Sequence, residues 1–316
     1  MSRAPAIVVG VDGSNSSTKA LDWAVAEAGV RGAPLKVVCA YTVPRFGATS
    51  MDAAYLDVGA SALSEGAGAV LEAAAERAKE HLSDVEGVLE VGDAAGVLVE
   101  HSKQAALMVV GTRGRGGFAE RLLGTVSTAL PVHAHCPTVV VPSGGRGRTS
   151  DAEAADEPPE VRKIVVGVDG SEVSKLALAR SLDEAISWQA DLVAFASMPV
   201  ASGTSLFAWA PGQVDHTAVL AELEAEVGRL IEAELVGREV PDGFAVRHHA
   251  LDGTASALLV EFSSSADLIV VGSRGRGGFS GLLLGSTSQA VLHHARCPVM
   301  VVPARCKDVF AGGDGG

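Results

Sequence analysis

The chain contains the same stretch of sequence twice, and the length of this repeat constrains the fold more than any other feature. Residues 7–14 read IVVGVDGS, and residues 164–171 read the same letters. Residues 109–118 read VVGTRGRGGF, and residues 270–279 read VVGSRGRGGF, with one difference. A repeat of about 160 residues is far longer than a solenoid unit of roughly 20–50 residues and has the length of a whole domain. The chain is therefore a duplication of one domain.

The joint between the two copies has the composition of a linker. Residues 143–159 read SGGRGRTSDAEAADEPP, which is polar and glycine-rich, then acidic, and closed by two prolines. Such a segment carries too few apolar side chains to bury a core. We therefore predict a first domain at 1–142, a linker at 143–162 and a second domain at 163–304. The end of the chain, 305–316, is predicted to be a flexible tail.

Apolar runs alternate with amphipathic ones in each copy. In the first copy, strands are expected near residues 6–12, 35–41, 85–91, 107–112 and 138–142, and helices near 14–31, 61–82, 95–104 and 125–134. The second copy repeats this order. Strands that are apolar on both faces and alternate with helices indicate a parallel sheet covered on two sides, the α/β class. Ser14 and Ser171 precede the first helix of each copy, where a hydroxyl can cap free N–H groups.

Charge and cysteine content exclude several classes of protein. A formal net charge of −13 argues against a general nucleic-acid binder, which needs a basic face to neutralise phosphates. No apolar stretch approaches the roughly 18–20 residues of a membrane span, and no targeting segment is recognisable. The four cysteines show no C-x-x-C spacing, and three of them, Cys39, Cys136 and Cys297, lie within or beside predicted strands. We expect a cytoplasmic protein with free thiols that binds neither nucleic acid nor membranes.

A glycine-rich loop follows the fourth strand of each copy. Three glycines at the same spacing precede a hydroxyl residue: Gly111, Gly114, Gly124 and Thr125 in the first copy, and Gly272, Gly275, Gly285 and Ser286 in the second. Glycine lets the backbone approach an anion closely, and the free N–H groups at a helix start attract negative charge. The loops also carry arginines on an acidic chain: Arg113, Arg115, Arg274 and Arg276. This pattern favours a polyphosphate ligand, with an ordinary solvated surface loop as the alternative.

Two other phosphate-binding patterns fit less well. No Gly-x-x-x-x-Gly-Lys-Ser/Thr occurs, so the Walker lysine is missing. Residues 114–119 loosely match the dinucleotide fingerprint, but they follow the fourth strand rather than the first. No strand ending in an acid follows about 20 residues later to hold a ribose. We therefore reject the dinucleotide interpretation.

An aspartate ends the first strand of each copy, at Asp12 and Asp169. An Asp before a glycine is by default a turn residue or helix cap. It could instead accept hydrogen bonds from a base or ribose. If the strand order is 3-2-1-4-5, strands one and four flank the switch point where α/β sheets bind ligands. That order would place Asp12 opposite the Gly111 loop, and Asp169 opposite the Gly272 loop.

Three motifs resemble the universal stress protein family. They are the IVVGVDGS opening, the G-x-x-G-x9-G-S/T loop after strand four, and the R/H-C-P-x-x-V-V-P endings at residues 135–142 and 296–303. The resemblance covers both copies, and the chain as a whole is similar to the tandem members of the family in actinobacteria and related bacteria. It implies two tandem Rossmann-like domains, each a five-stranded parallel sheet of order 3-2-1-4-5 with helices on both faces. It also implies binding of ATP by the branch that carries this glycine spacing.

The resemblance further implies which residues hold the nucleotide. Asp12 and Asp169, which follow Gly10 and Gly167 closely, would contact the adenosine part, and the end of strand two at Ala40 and Ser197 would line the adenine pocket. The residues implied to wrap ribose and phosphates are Gly111, Arg113, Gly114, Gly124, Thr125, Val126 and Ser127, with Gly272, Arg274, Gly275, Gly285, Ser286, Thr287 and Ser288 in the second copy. A Mg²⁺ would be held mainly by the nucleotide and water. The family also implies pairing through the fifth strand, which could join the copies within one chain and leaves room for a homodimer.

Several histidines and one loop that differs between the copies are candidates for further sites. His133 and His135 precede Cys136, but the second copy does not preserve these ligand types, which disfavours a metal site. Three isolated histidines are expected on helix surfaces: His81, His101 and His216. The segment 199–213 carries apolar Leu206, Phe207 and Trp209, which either cover their own domain or form a lid or partner surface.

Two functional classes remain open from the sequence. One is a regulatory ATP-binding module, and the other is a slow ATPase or phosphotransferase. Hydrolysis needs a residue that positions water at the γ-phosphate. Glu120 is the carboxylate in the spacer of the first loop, and the second loop has none at its equivalent. We therefore predict binding with little or no hydrolysis.

Overall fold

The computed structural model describes residues 5–43, 53–114, 123–144, 159–198, 215–276 and 283–306. The chain divides into two compact units, which hold residues 5–144 and 160–306 of the described chain. Three predicted segments lie wholly or largely outside the described residues: most of the linker, the tail beyond residue 306, and the segment 199–213. Arg115 and Glu120 also lie outside the described residues. The predicted domain bounds therefore stay predictions.

The first unit alternates strands and helices as its sequence predicts. Its elements are β1 (Ala6–Gly10), α1 (Asn15–Arg31), β2 (Leu35–Tyr41), α2 (Ala53–Lys79), β3 (Val85–Val91), α3 (Ala94–His101), β4 (Ala105–Gly111), α4 (Thr125–His133) and β5 (Thr138–Val141). The second unit repeats the order with β6 (Lys163–Gly167), α5 (Glu172–Trp188), β7 (Asp191–Met198), α6 (His216–Leu235), β8 (Val246–Asp252), α7 (Ala255–Phe262), β9 (Leu268–Gly272), α8 (Ser286–His294) and β10 (Val299–Val302). A short 3-10 turn, Ala304–Cys306, follows β10.

Each unit contains a parallel sheet whose strand order reverses at its first strand. The order is β3-β2-β1-β4-β5 in the first unit and β8-β7-β6-β9-β10 in the second. Every pairing within a unit is parallel, with Ile7 of β1 opposite Leu35 of β2 and Leu107 of β4. The α/β class and the order 3-2-1-4-5 are therefore confirmed in both copies.

The central strands are apolar on both faces because helices cover both faces. Leu107, Met108 and Val109, consecutive in β4, are all 0% exposed although their side chains alternate between the two faces. In the first unit α1 packs on α2 and α3 packs on α4, and the second unit pairs α5 with α6 and α7 with α8. Burial on both faces fixes the register of these strands, since a slip by one residue would exchange the faces.

Element ends follow local hydrogen bonding. Ser14 and Ser171 cap α1 and α5 as predicted, because their hydroxyls accept from the N–H groups of Ser17 and Ser174. Strand β1 ends at Gly10, earlier than predicted, since the N–H of Asp12 turns to the hydroxyl of Ser17 rather than to a neighbouring strand. Helix α2 begins at Ala53 rather than near residue 61. That stretch holds one glycine, Gly59, which weakens a helical pattern without ending the helix.

Candidate functional site

The switch point of each sheet lies between its first and fourth strands. Strand β1 has β2 on one side and β4 on the other, so the connections from β1 and β4 leave the sheet in different directions. Strands β6, β7 and β9 have the same relationship. A crevice beyond the carboxyl ends of such strands is where open α/β sheets bind ligands. Both the aspartate and the glycine loop of each unit follow these two strands.

The aspartate and the second glycine of the loop are in close contact in both units. A Cβ added to Gly114 would overlap the Oδ2 of Asp12, and a Cβ added to Gly275 would overlap the Oδ2 of Asp169. The other carboxylate oxygen of Asp12 accepts the N–H of Ser14 at 3.0 Å. The structure therefore brings together the two motifs that the sequence predicted to lie opposite each other, and a side chain at either glycine would have to displace the carboxylate.

In the second unit the loop is also bound to the aspartate by a hydrogen bond. The N–H of Arg276 donates to Oδ2 of Asp169 at 2.8 Å, and the N–H of Ser171 donates to Oδ1 at 2.9 Å. Partial removal from water would raise the pKa of Asp169, but hydrogen bonds from Ser171, Arg276 and Ser174 outweigh it, and the net pKa is lowered. The carboxylate is therefore ionised at neutral pH and can act as an acceptor.

A tight turn leads from each aspartate into the following helix. Gly13 and Gly170 have φ angles of 76° and 75°, in the left-handed region that side chains disfavour. The turn aims the carboxylate at the crevice while the next residue caps the helix. The IVVGVDGS motif thus combines a turn, a cap and an acceptor within a few residues.

The third glycine of the loop opens α4 in an arrangement suited to an anion. The N–H of Gly124 donates to the C=O of Thr112 at 2.7 Å and to the hydroxyl of Ser127 at 2.9 Å, which holds the helix start against the end of β4. The N–H groups of Thr125, Val126 and Ser127 belong to the first turn, where a helix offers them no carbonyl partner. These N–H groups are the donors that a phosphate group can use.

The second unit repeats this arrangement. The N–H of Gly285 donates to the C=O of Ser273 at 2.8 Å. The hydroxyl of Ser288 is buried and donates to the C=O of Ser273 at 3.1 Å, as the buried hydroxyl of Ser127 does to Thr112 at 2.9 Å. The hydroxyls of Ser127 and Ser288 therefore hold the loop in place, and the donors left for a ligand are backbone N–H groups together with Thr125, Ser286 and Thr287.

The first glycine of the loop serves a packing role that the sequence did not reveal. A Cβ on Gly111 would lie 2.6 Å from the backbone oxygen of Ser16 in α1. A Cβ on Gly272 would lie 3.0 Å from Cγ1 of Val173 in α5. Real Cβ atoms do not approach backbone atoms as closely as 2.6 Å, so β4 must end in glycine for α1 to pack there. At Gly272 the fit is tight, and a Cβ would require Val173 to shift.

The remaining predicted residues surround this centre. Gly10 and Gly167 face the third helix of their units, since a Cβ would lie 2.8 Å from Leu98 and 3.4 Å from Leu259 respectively. Ala40 and Ser197 lie near the ends of β2 and β7, half-buried, one strand away from the aspartate. A cleft of about 510 Å³ also opens beside Val11 and Gly13 between α1 and α2, within the range of ligand pockets.

The described loop arginines, Arg113, Arg274 and Arg276, are exposed, and Arg113 is held in position. The C=O of Arg113 accepts the hydroxyl of Ser14 at 3.3 Å, and its Nε donates to the hydroxyl of Ser143 at 3.3 Å. Sequence reasoning missed Ser143 because it follows β5, far from the loop in sequence. Arg274 is exposed at the equivalent position of the second unit.

The predicted backbone donors and the glycine cradle fit a phosphate-bearing ligand better than a protein-bound metal. Within the described ranges, no group of three or more His, Cys, Asp or Glu side chains could hold a metal ion. All four cysteines are buried.

His101 is less exposed than the sequence predicts. Its side chain is 16% exposed, and its Nε2 lies 2.8 Å from Oε1 of Glu90 in β3. Among the described segments, no helix is both long enough and apolar enough to cross a membrane.

Comparisons with known proteins agree with this architecture. The model of the Universal stress protein family matches residues 5–142 and 160–303. Universal stress protein Rv2005c of Mycobacterium tuberculosis is 36% identical over 302 residues, which cover 93% of this chain and 96% of that protein. Universal stress protein Rv2623 of the same organism is 35% identical over 302 residues, covering 93% and 95%. The crystal structure of a universal stress protein from Archaeoglobus fulgidus is 21% identical, with a TM-score of 0.65 over 94% of this chain and 98% of that chain. The chain therefore belongs to the universal stress protein family, with two family domains in tandem.

Proposed function

We propose that the protein binds ATP at one site in each unit and acts as a regulatory nucleotide-binding module in the stress response, with little or no hydrolysis. The observation that carries this proposal is the contact between the aspartate of the first strand and the second glycine of the loop. Because it occurs in both units, at the switch point, an acceptor and a set of backbone donors face the same crevice twice.

The donors and acceptors suit the two ends of a nucleotide. Asp12 and Asp169 are acceptors, which match the hydroxyl groups of a ribose or the amino group of a base. The N–H groups at the starts of α4 and α8 are donors in the positive field of a helix N-terminus, which match phosphate oxygens. Exposed Arg113 and Arg274 add positive charge beside these donors. A small molecule that carries both ends in one structure is a nucleotide.

The same residues support binding more than hydrolysis. Asp12 and Asp169 accept N–H hydrogen bonds beside the loop, and each is built into the turn that begins the first helix. A carboxylate that already accepts these hydrogen bonds can orient a ligand but is poorly placed to take a proton from water. Bound Mg²⁺ would add charge neutralisation, with phosphate oxygens and water as its main ligands.

Identification of the molecule that copurifies with the protein tests the proposal. The full-length chain is purified without added nucleotide and denatured, and the released small molecules are identified by mass spectrometry. We expect an adenine nucleotide at up to about one molecule per unit, since each unit has its own crevice. Nucleotide-free protein whose melting temperature does not rise when ATP is added would contradict the proposal.

A turnover assay separates binding from catalysis. We expect phosphate release from ATP to stay below one molecule per site over hours. Multiple turnovers that disappear when Asp12 and Asp169 are both replaced by Asn would replace the binding-module assignment with an ATPase assignment.

A further inference from the structure

The two units differ in charge at the carboxyl ends of their last two strands. In the first unit the Nζ of Lys19, in the second turn of α1, donates to the C=O of Ser143 at 2.7 Å. The equivalent positions in the second unit hold Leu176 and Ala304. An ammonium group and a hydroxyl in one unit are thus replaced by two apolar side chains in the other.

Ser143 connects Lys19 to the glycine loop. Its hydroxyl is hydrogen-bonded to Oγ1 of Thr112 at 2.9 Å and accepts from Nε of Arg113 at 3.3 Å. Its N–H donates to Oγ1 of Thr112 at 3.2 Å. We call Lys19, Thr112, Arg113 and Ser143 the cationic cluster. It holds two positive groups around a single serine.

The cationic cluster lies directly against the candidate phosphate donors. The C=O of Thr112 accepts the N–H of Gly124 at 2.7 Å, and Gly124 is the residue that opens α4. One hydrogen bond therefore links the cluster to the helix start whose N–H groups face the crevice. An ammonium group has three N–H donors, and the contact with Ser143 uses one of them.

The second unit compensates the charge of its own nearby lysine. Lys175, one position before Leu176, pairs with Glu172 at 3.0 Å. Glu172 lies in the first turn of α5, where the first unit has the neutral Asn15. The helix start beside the second crevice therefore carries an acid and a paired lysine, with the guanidinium of Arg276 beside Gly170. In the first unit a lysine is instead directed to the end of β5.

We propose that the cationic cluster is a subsite for the terminal phosphates of a nucleotide and makes the first unit selective for nucleoside triphosphates over monophosphates. The second unit, with Leu176 and Ala304, discriminates less between them. This inference rests on the proposed nucleotide binding and adds the ligand preference of each unit. Its physical basis is that each added phosphate group brings negative charge, and charge-assisted hydrogen bonds are stronger than neutral ones.

The test measures one unit at a time in the full-length chain. Gly275→Val places a side chain against the carboxylate of Asp169 and so blocks the second crevice. In this background, ATP and AMP are titrated by calorimetry before and after the double change Lys19→Leu and Ser143→Ala, which installs the residues of the second unit. We expect the affinity for ATP to fall about tenfold and that for AMP to change less than about twofold.

Two controls make the result specific. Lys103→Leu also removes one positive charge from the first unit. Lys103 precedes the start of β4 and so lies at the amino ends of the strands, opposite the crevice. This change should leave the ratio of the two affinities unchanged. The reciprocal pair, Leu176→Lys with Ala304→Ser in a Gly114→Val background, should raise the preference of the second unit for ATP.

The outcomes separate this inference from the proposed function. Equal losses for ATP and AMP, or no loss for either, would overturn the terminal-phosphate subsite while leaving nucleotide binding intact. Absence of binding of every nucleotide to the unaltered protein would overturn both. A urea unfolding midpoint equal to that of the background variant verifies that the changed residues have not unfolded the unit.

Discussion

The N–H of Arg276 donates a hydrogen bond to the carboxylate of Asp169 at 2.8 Å, which ties the loop after β9 to the end of β6. In the first unit Gly114 lies close to the carboxylate of Asp12, as Gly275 lies close to that of Asp169. The acid of the first strand therefore organises the loop of the fourth strand in both copies. A ligand that uses this carboxylate as an acceptor must share it with the loop or displace the loop.

The tie to Asp169 predicts a pH dependence of stability. The pKa of Asp169 is lowered from its ordinary value of 3.8, so the ionised carboxylate stabilises the folded state above that value. Its contribution is lost as the pH falls through the lowered pKa of the folded state. We expect Asp169→Asn to lower the urea midpoint by the same amount at pH 7 and pH 5, and by less below pH 3.8. A difference that persists undiminished in acid would contradict this assignment.

A side chain at the second glycine of a loop should empty one site. Gly114→Val would place side-chain carbons against the carboxylate of Asp12, so we expect the nucleotide content of the full chain to fall by half, with the second unit unaffected. Gly68→Ala in α2 is the control, because nothing lies within 4 Å of its added Cβ. The control should retain its nucleotide and gain up to about 1 kcal/mol of stability from helix propensity. Full nucleotide content in Gly114→Val would place the ligand elsewhere.

The two helix caps should differ in their effect on the site. Ser14→Ala and Ser171→Ala each remove a cap, which costs about 1 kcal/mol of unfolding free energy. The hydroxyl of Ser14 also donates to the C=O of Arg113 at 3.3 Å. We therefore expect Ser14→Ala to speed hydrogen exchange of amides in residues 111–114 as well. Exchange that is unchanged in this loop would limit Ser14 to its capping role.

The thiols should be unreactive in the folded protein. All four cysteines are buried, and burial raises the pKa of Cys297 and of Cys306 to about 12. Since the thiolate is the reactive form, we expect a disulfide reagent at pH 8 to label none of the four until the chain is unfolded in urea. Rapid labelling of the native protein would show that one of these segments opens.

The sequence predicts the architecture well because the information is local and present twice. Apolar runs gave the strands, the repeated DGS sequence gave the turns and caps, and the position of Asp12 and the Gly111 loop after adjacent strands indicated a common crevice. The predicted start of α2, near residue 61, was wrong, because the helix runs from Ala53 through Gly59, a residue type that weakens a helical pattern in sequence.

What the sequence could not provide are contacts that depend on how elements approach one another. Gly111 is predicted to bind the ligand, and the structure adds that a side chain there would meet the backbone of Ser16. The sequence predicts Ser143 to be the first residue of a linker, although strand order brings the end of β5 beside Thr112. His101 was placed on the surface, since only the packing of α3 over the sheet brings it to Glu90.

The opening strands, β1 and β6, share the sequence IVVG and occupy the same central position in their own sheets. When the whole chain refolds at once, each strand can occupy the position of the other, because within the strands only the first residues, Ala6 and Lys163, differ. An exchange of this kind takes place within one molecule, so dilution does not suppress it. During synthesis on the ribosome the first unit can fold before β6 has been made. We therefore expect a higher yield of native protein from translation than from dilution out of denaturant.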